Sequence, residues 1–210
     1  MNKTELIKLY KRELLKAFES VSEDKIIEFV EMVFSTYAAE KNIFAAGNGG
    51  TVSYIQNMVA DFNFHPFTSE DKSKSSVKRN KFKCVNLCSD QSVLTGVTND
   101  LGFEFVFSEQ LRFQGEEDDI FIGMSGSGNS KNILQAMKVA KQKGMKTVLI
   151  TRNINNKCGE FADLVLCVNL ETSFPGQTGG NNSNLVYEDF LSSLTHIAVG
   201  MLKQKVQDEN

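Results

Sequence analysis

The feature that most constrains this chain is a set of short apolar runs, each ended by glycine or small polar residues. They lie at 42–46, 82–87, 119–124, 146–150 and 164–168. Runs of this length with such boundaries read as buried strands. Stretches with helical spacing separate several of them. At 51–62, Tyr54, Ile55, Met58, Val59 and Phe62 share one face, and 132–143 carries the clearest helical pattern. Strands alternating with helices argue for an α/β fold built on a parallel sheet flanked by helices.

Two further helices are expected ahead of this core, at 2–19 and 23–40. Leu6, Tyr10, Leu14 and Phe18 mark the first; Ile26, Val30, Val33 and Tyr37 mark the second. Ser22 is positioned as the N-cap of the second, because its hydroxyl can accept from an orphan backbone N–H. A last helix is expected from 185 to about 205, after a turn-rich loop at 171–184 containing Pro175, Gly176, Gly179 and Gly180. The basic stretch 65–81, with Lys72, Lys74, Lys78, Arg79 and Lys81, reads as a solvated insertion rather than an anion-recruiting loop. The expected organisation is one domain over 1–210, with N-terminal helices at 1–40 and an α/β core at 41–205.

Composition narrows the function. The net charge of −3 argues against nucleic acid and membrane partners. No apolar run is long enough to span a bilayer, and the start lacks a signal-peptide pattern, so the expected compartment is the cytoplasm. Cys84 and Cys88 have no second Cys/His pair to complete a metal knuckle. They read, like Cys158 and Cys167, as small buried hydrophobes.

Two segments carry chemistry. An apolar strand runs into Ser125-Gly126-Ser127-Gly128-Asn129-Ser130, and a helix follows. A hydroxyl-rich turn at the carboxyl end of a parallel strand, facing a helix N-terminus, suits a phosphate. No Gly-Lys-Ser/Thr follows, which excludes the nucleotide P-loop. Gly47-Asn48-Gly49-Gly50-Thr51 has the same strand–turn–helix setting. Alone it reads as structural; as the second such turn it can converge with the first on one ligand.

Three segments in this order resemble the sugar isomerase (SIS) domain family, and within it the phosphoheptose isomerases. They are Phe44-Ala45-Ala46-Gly47-Asn48-Gly49-Gly50-Thr51, Leu94-Thr95-Gly96-Val97-Thr98-Asn99-Asp100-Leu101-Gly102-Phe103 and Ile122-Gly123-Met124-Ser125-Gly126-Ser127-Gly128-Asn129-Ser130. The resemblance covers roughly residues 40–200. It implies a three-layer helix–sheet–helix sandwich and assembly as a homodimer or homotetramer. It implies that Thr51, Ser125, Ser127 and Ser130 bind phosphate, and that Asn48, Gly49, Gly50, Asp90 and Glu188 lie at the sugar phosphate. The family reaction interconverts sedoheptulose 7-phosphate and an aldose heptose 7-phosphate of the D-glycero-D-manno type. Such a shift needs a base and an acid, and the resemblance assigns these roles to Asp61 and His196.

The family's helical His-x-x-x-Glu corresponds here to Asn57 and Asp61, and Leu191 stands where relatives often carry histidine. Some relatives bind zinc, for which Asp61, Glu188 and His196 remain as ligands here, while asparagine is not a usual one. From the residues alone, His196 between Leu194, Ile197 and Val199 reads as a core histidine. Asp61 reads equally as a helix-end carboxylate, and Glu188 as a first-turn acid favoured by the helix dipole. His65 reads as a surface loop residue, and Asn99 and Asp100 as a turn and cap. The alternatives to a heptose isomerase are a non-catalytic sugar-phosphate-binding adaptor and an isomerase of another phosphosugar.

Overall fold

The computed structural model describes residues 1–68, 81–176 and 183–208. Most of the basic insertion, and part of the turn-rich loop, lie outside the described residues. Helices α1 (Lys3–Glu19) and α2 (Glu23–Ala38) come first. Strand β1 (Asn42–Gly47) leads into α3 (Thr51–Phe64), and β2 (Lys83–Asn86) into α4 (Gln91–Asp100) and α5 (Ser108–Gln114). Strand β3 (Ile120–Met124), α6 (Lys131–Gln142), β4 (Lys146–Thr151) and β5 (Leu164–Cys167) follow, and α7 (Asn184–Asp208) closes the chain.

The sheet order is β2-β1-β3-β4-β5, and every pairing is parallel. Strand side chains alternate between two cores with the period of two that a pleated strand imposes. Ile43, Ala45, Ile120, Ile122, Val148 and Ile150 face the layer containing α2, α3 and α7. Phe44, Ala46, Phe121 and Leu149 face the layer containing α5 and α6. The strands are apolar on both faces because helices cover both, which is why the sequence shows continuous runs rather than alternation.

Chain direction decides where a site can form. From β1 the chain crosses over α3 to β2 on one side, while β3 pairs on the other side of β1. The order reverses there, so a crevice opens beyond the carboxyl ends of β1 and β3. Gly47 is in register with Met124, so the two turns that follow these strands begin side by side.

Some local expectations need correction. Ser22 occupies the N-cap position of α2, but its side chain makes no capping bond. Helix α1 is capped instead by Asn2, whose Oδ1 accepts from Glu5 N while Glu5 Oε2 accepts from Asn2 N. Asn99 and Asp100 form the last turn of α4, not a turn ahead of another helix. Helix α4 escapes pattern reading because none of its residues is buried. Helix α7 begins one residue earlier and runs a few residues further than expected.

Asp119 fastens the amino end of the sheet. It is fully buried, and its Oδ1 accepts from Asn42 N at 2.7 Å and from Asn42 Nδ2 at 3.2 Å. Its Oδ2 accepts from Glu116 N at 2.8 Å. Replacing it strands part-buried backbone donors at the entries of both β1 and β3. Asp119→Ala should therefore lower stability by about 3 kcal/mol, read as a lower urea midpoint at unchanged slope.

Candidate functional site

The glycine-rich turn meets the helix that follows the serine-rich turn. Asn48 Nδ2 donates to Asn132 Oδ1 at 3.0 Å, and Asn132 Nδ2 donates to Asn48 Oδ1 at 2.7 Å. This reciprocal amide pair locks the glycine-rich turn to the first turn of α6. An open cleft of about 470 Å³ is lined by Asn48, Gly49, Ser130 and Asn132 from the two turns. Phe103, the last residue of the 94–103 segment, and its neighbour Glu104 line it as well. All three segments singled out in the sequence thus border one space.

In the serine turn, Ser125 Oγ and Ser130 Oγ lie 3.0 Å apart. Gly128 N donates to Ser125 Oγ at 3.1 Å, and Asn129 N to Ser127 Oγ at 3.2 Å. Ser130 is the N-cap residue of α6, and its side chain makes no capping bond. The helix therefore presents its positive end beside a group of hydroxyls, an arrangement suited to an anion. Thr51 is different. It is buried, and its hydroxyl donates to Asn48 O at 2.7 Å, closing its own turn. Asp90 is exposed and caps α4 by accepting from Ser92 N and Val93 N.

Asp61 and His196 come together across α3 and α7, with His196 Nε2 3.7 Å from Asp61 Oδ2. Asn57, four residues before Asp61 on the same helix face, donates its Nδ2 to Asp61 Oδ2 at 3.0 Å. His65 belongs to this group, and sequence reasoning missed it. Its Nε2 lies 3.2 Å from Asp61 Oδ1, on the short 3-10 turn that continues α3. The signal was available: His65 follows Asp61 by four residues, the spacing of one helix face. The Asp61 side chain is 13% exposed, while those of His65 and His196 are 61% and 64% exposed. A sheltered carboxylate thus carries two open imidazoles. His196 is not a core histidine.

Glu188 occupies a different place. Its carboxylate rests over Gly50 at the start of α3, where an added Cβ would lie 2.5 Å from Glu188 Oε1. Glu188 and His196 are eight residues apart in α7, about 12 Å along the helix axis. Among the described residues, no three His, Cys, Asp or Glu side chains are placed to hold a metal ion. The zinc ligand set expected from Asp61, Glu188 and His196 is therefore not assembled within one chain. The cysteines stay free, and burial pushes the Cys84 thiol up to about 12 and that of Cys158 up to about 11. Neither is a nucleophile near neutral pH.

Burial, and then the neighbouring Asp189, hold the Glu188 carboxyl above the usual glutamate range. A carboxyl raised on folding favours the native state below its unfolded pKa, and that contribution is lost as pH rises through the folded value. Glu188→Gln should therefore raise the melting temperature near pH 7, with the gain vanishing towards pH 4. Equal gains at both pH values would contradict this reading.

The SIS domain family matches residues 10–152 of the chain. A phosphoheptose isomerase from Sulfurimonas denitrificans is 34% identical over 169 residues, covering 77% of this chain and 82% of the relative. One from Helicobacter pylori is 33% identical over 159 residues, covering 76% of this chain and 78% of the relative. The structure of a phosphoheptose isomerase from Neisseria gonorrhoeae superposes with a TM-score of 0.79 at 23% identity, covering 97% of this chain and all of the other, and so shares the fold. From the order of its strands, the two turns at their reversal point and these matches, the chain belongs to the SIS domain family.

Proposed function

We propose that this chain is a phosphoheptose isomerase, interconverting sedoheptulose 7-phosphate and an aldose heptose 7-phosphate. The observation that carries the reading is the convergence of the glycine-rich and serine-rich turns at the β1/β3 reversal, joined by the Asn48–Asn132 pair. That convergence suits a phosphate end. The curated relatives at 33% and 34% identity, named phosphoheptose isomerases, support the choice of sugar.

The residues divide the work. Ser125, Ser127 and Ser130 hold the phosphate by hydroxyl and backbone donors at the start of α6. Asn48 and Gly49 line the cleft beside it, and Glu188 stands over Gly50, the next residue of that turn. Asp61 and His196 supply the acid and base. One removes the proton from the carbon next to the carbonyl, and the other protonates the carbonyl oxygen, giving an enediol. Return of a proton to the former carbonyl carbon, with loss of the adjacent hydroxyl proton, completes the shift. Asn57 and His65 sit on the two oxygens of Asp61 and fix its orientation.

One distance shapes the proposal further. Asp61 lies ten residues beyond Thr51 in α3, about 15 Å along the axis. That is longer than an extended heptose phosphate seated in the turns of the same chain. We therefore place the working enzyme as a homo-oligomer in which the Asp61–His196 pair of a second copy faces the cleft. The openness of both imidazoles supports this, as do the exposed apolar side chains Phe113 (86%) and Leu101 (54%), which line one groove. Among the described residues no helix is long and apolar enough to cross a membrane, and the cytoplasm, where sugar phosphates are made, is the proposed compartment.

Incubation with sedoheptulose 7-phosphate, followed by NMR, should show the aldose appearing, and should be run with and without added zinc. Absence of conversion under both conditions would refute the isomerase reading. Asp61→Asn and His196→Ala should each lower kcat by about a hundredfold or more. Mixing His196→Ala with Ser125→Ala after dissociation and reassociation should restore part of the activity, because some sites then draw intact halves from each partner. No recovery would place both halves in one chain.

A further inference from the structure

Arg152 follows directly on the last residue of β4. Its side chain crosses the serine turn and reaches the start of α7. Arg152 Nε donates to Asn184 Oδ1 at 3.1 Å, and Nη1 to Ser183 Oγ at 3.4 Å. An arginine Nε–H can only donate, so it fixes which way the Asn184 amide faces. Asn184 Nδ2 is thereby turned towards Glu188, donating to Oε1 at 3.4 Å. The Arg152 backbone N–H also donates to Gly126 O at 3.2 Å.

Two glycines make room for this chain of contacts. A Cβ at Gly126 would lie 2.7 Å from Asn184 Oδ1 and 3.2 Å from Arg152 Nε. A Cβ at Gly50 would lie 2.5 Å from Glu188 Oε1. The polar relay therefore lies directly on the backbone of both ligand turns, touching the serine turn at one end and the glycine-rich turn at the other.

We infer that Arg152 and Asn184 are positioning residues that set the Glu188 carboxylate over Gly50 of the glycine-rich turn, so that the spacing between the serine turn and Glu188 is fixed before substrate arrives. The inference rests on the isomerase reading for its effect on turnover, but not for the relay itself. The arginine fork gives a directional bond that a lysine ammonium does not reproduce. A role limited to attracting phosphate needs only the positive charge, so lysine separates the two.

The test has two readouts. In the first, the side-chain amide signals of Asn184, assigned by their loss in Asn184→Asp, are followed by 15N NMR in the protein without ligand. They should shift in Arg152→Met, in Arg152→Lys and in Glu188→Gln. In the second, kcat on sedoheptulose 7-phosphate should fall about tenfold to a hundredfold in Arg152→Met, the scale of a misplacement of about 1 Å, with KM changed far less. Arg152→Lys should not rescue it, and adding Arg152→Met to Glu188→Gln should cost little more than Glu188→Gln alone. Restoration by lysine, or fully additive losses, would overturn the inference. If the unaltered enzyme shows no turnover, the isomerase reading fails, and the amide signals decide alone: no response to Arg152→Met would overturn the relay.

Discussion

The candidate site depends on the reversal of strand order between β1 and β3. A parallel sheet aims the carboxyl ends of all its strands the same way, and at the reversal neighbouring crossovers leave in opposite directions. The gap between them needs no carving by side chains. Because Gly47 and Met124 are in register, the glycine-rich and serine-rich turns emerge together, and the Asn48–Asn132 pair closes the distance. Helix α6 then points its positive end at the same place. The candidate anion site is thus placed by topology, with the serine hydroxyls beside it.

The two halves of the site differ in how they are supported. The serine turn, the candidate phosphate half, follows directly on the fully buried strand β3. The acid–base half stands on the exposed end of α3 and the middle of α7, where Asp61 is sheltered and the two imidazoles are open. Glu188 belongs spatially to the first half, not the second. It rests on Gly50, within reach of Asn184. A single chain therefore separates the two groups of residues, which is why the proposed function brings in a second copy.

Much of the fold was legible because buried parallel strands leave a plain trace: apolar on both faces, short, and ended by glycine or serine. The five strands and the helices α1, α2, α3, α6 and α7 all appear as patterns. Helix α4 does not, because Val93, Leu94 and Val97 are only half covered and no residue of the helix is buried. In the site, the serine turn could be read directly from the residues, while Asn57 and Asp61 stood out only through the family resemblance. His65 was misread as a loop residue because the 3-10 turn at Pro66 looks like a helix end. Thr51 looked like a free hydroxyl because a hydrogen bond to Asn48 O leaves no mark in sequence. Arg152 and Asn184 meet only through the fold, being 32 residues apart.

The most direct test of the central claim is a titration of the full chain with inorganic phosphate, followed through backbone amide signals. If the reversal point holds the anion, the amides of Gly126 to Lys131 should move first and furthest, with smaller shifts at Asn48 to Gly50. Saturable shifts confined to other surfaces, with these amides unmoved, would contradict it.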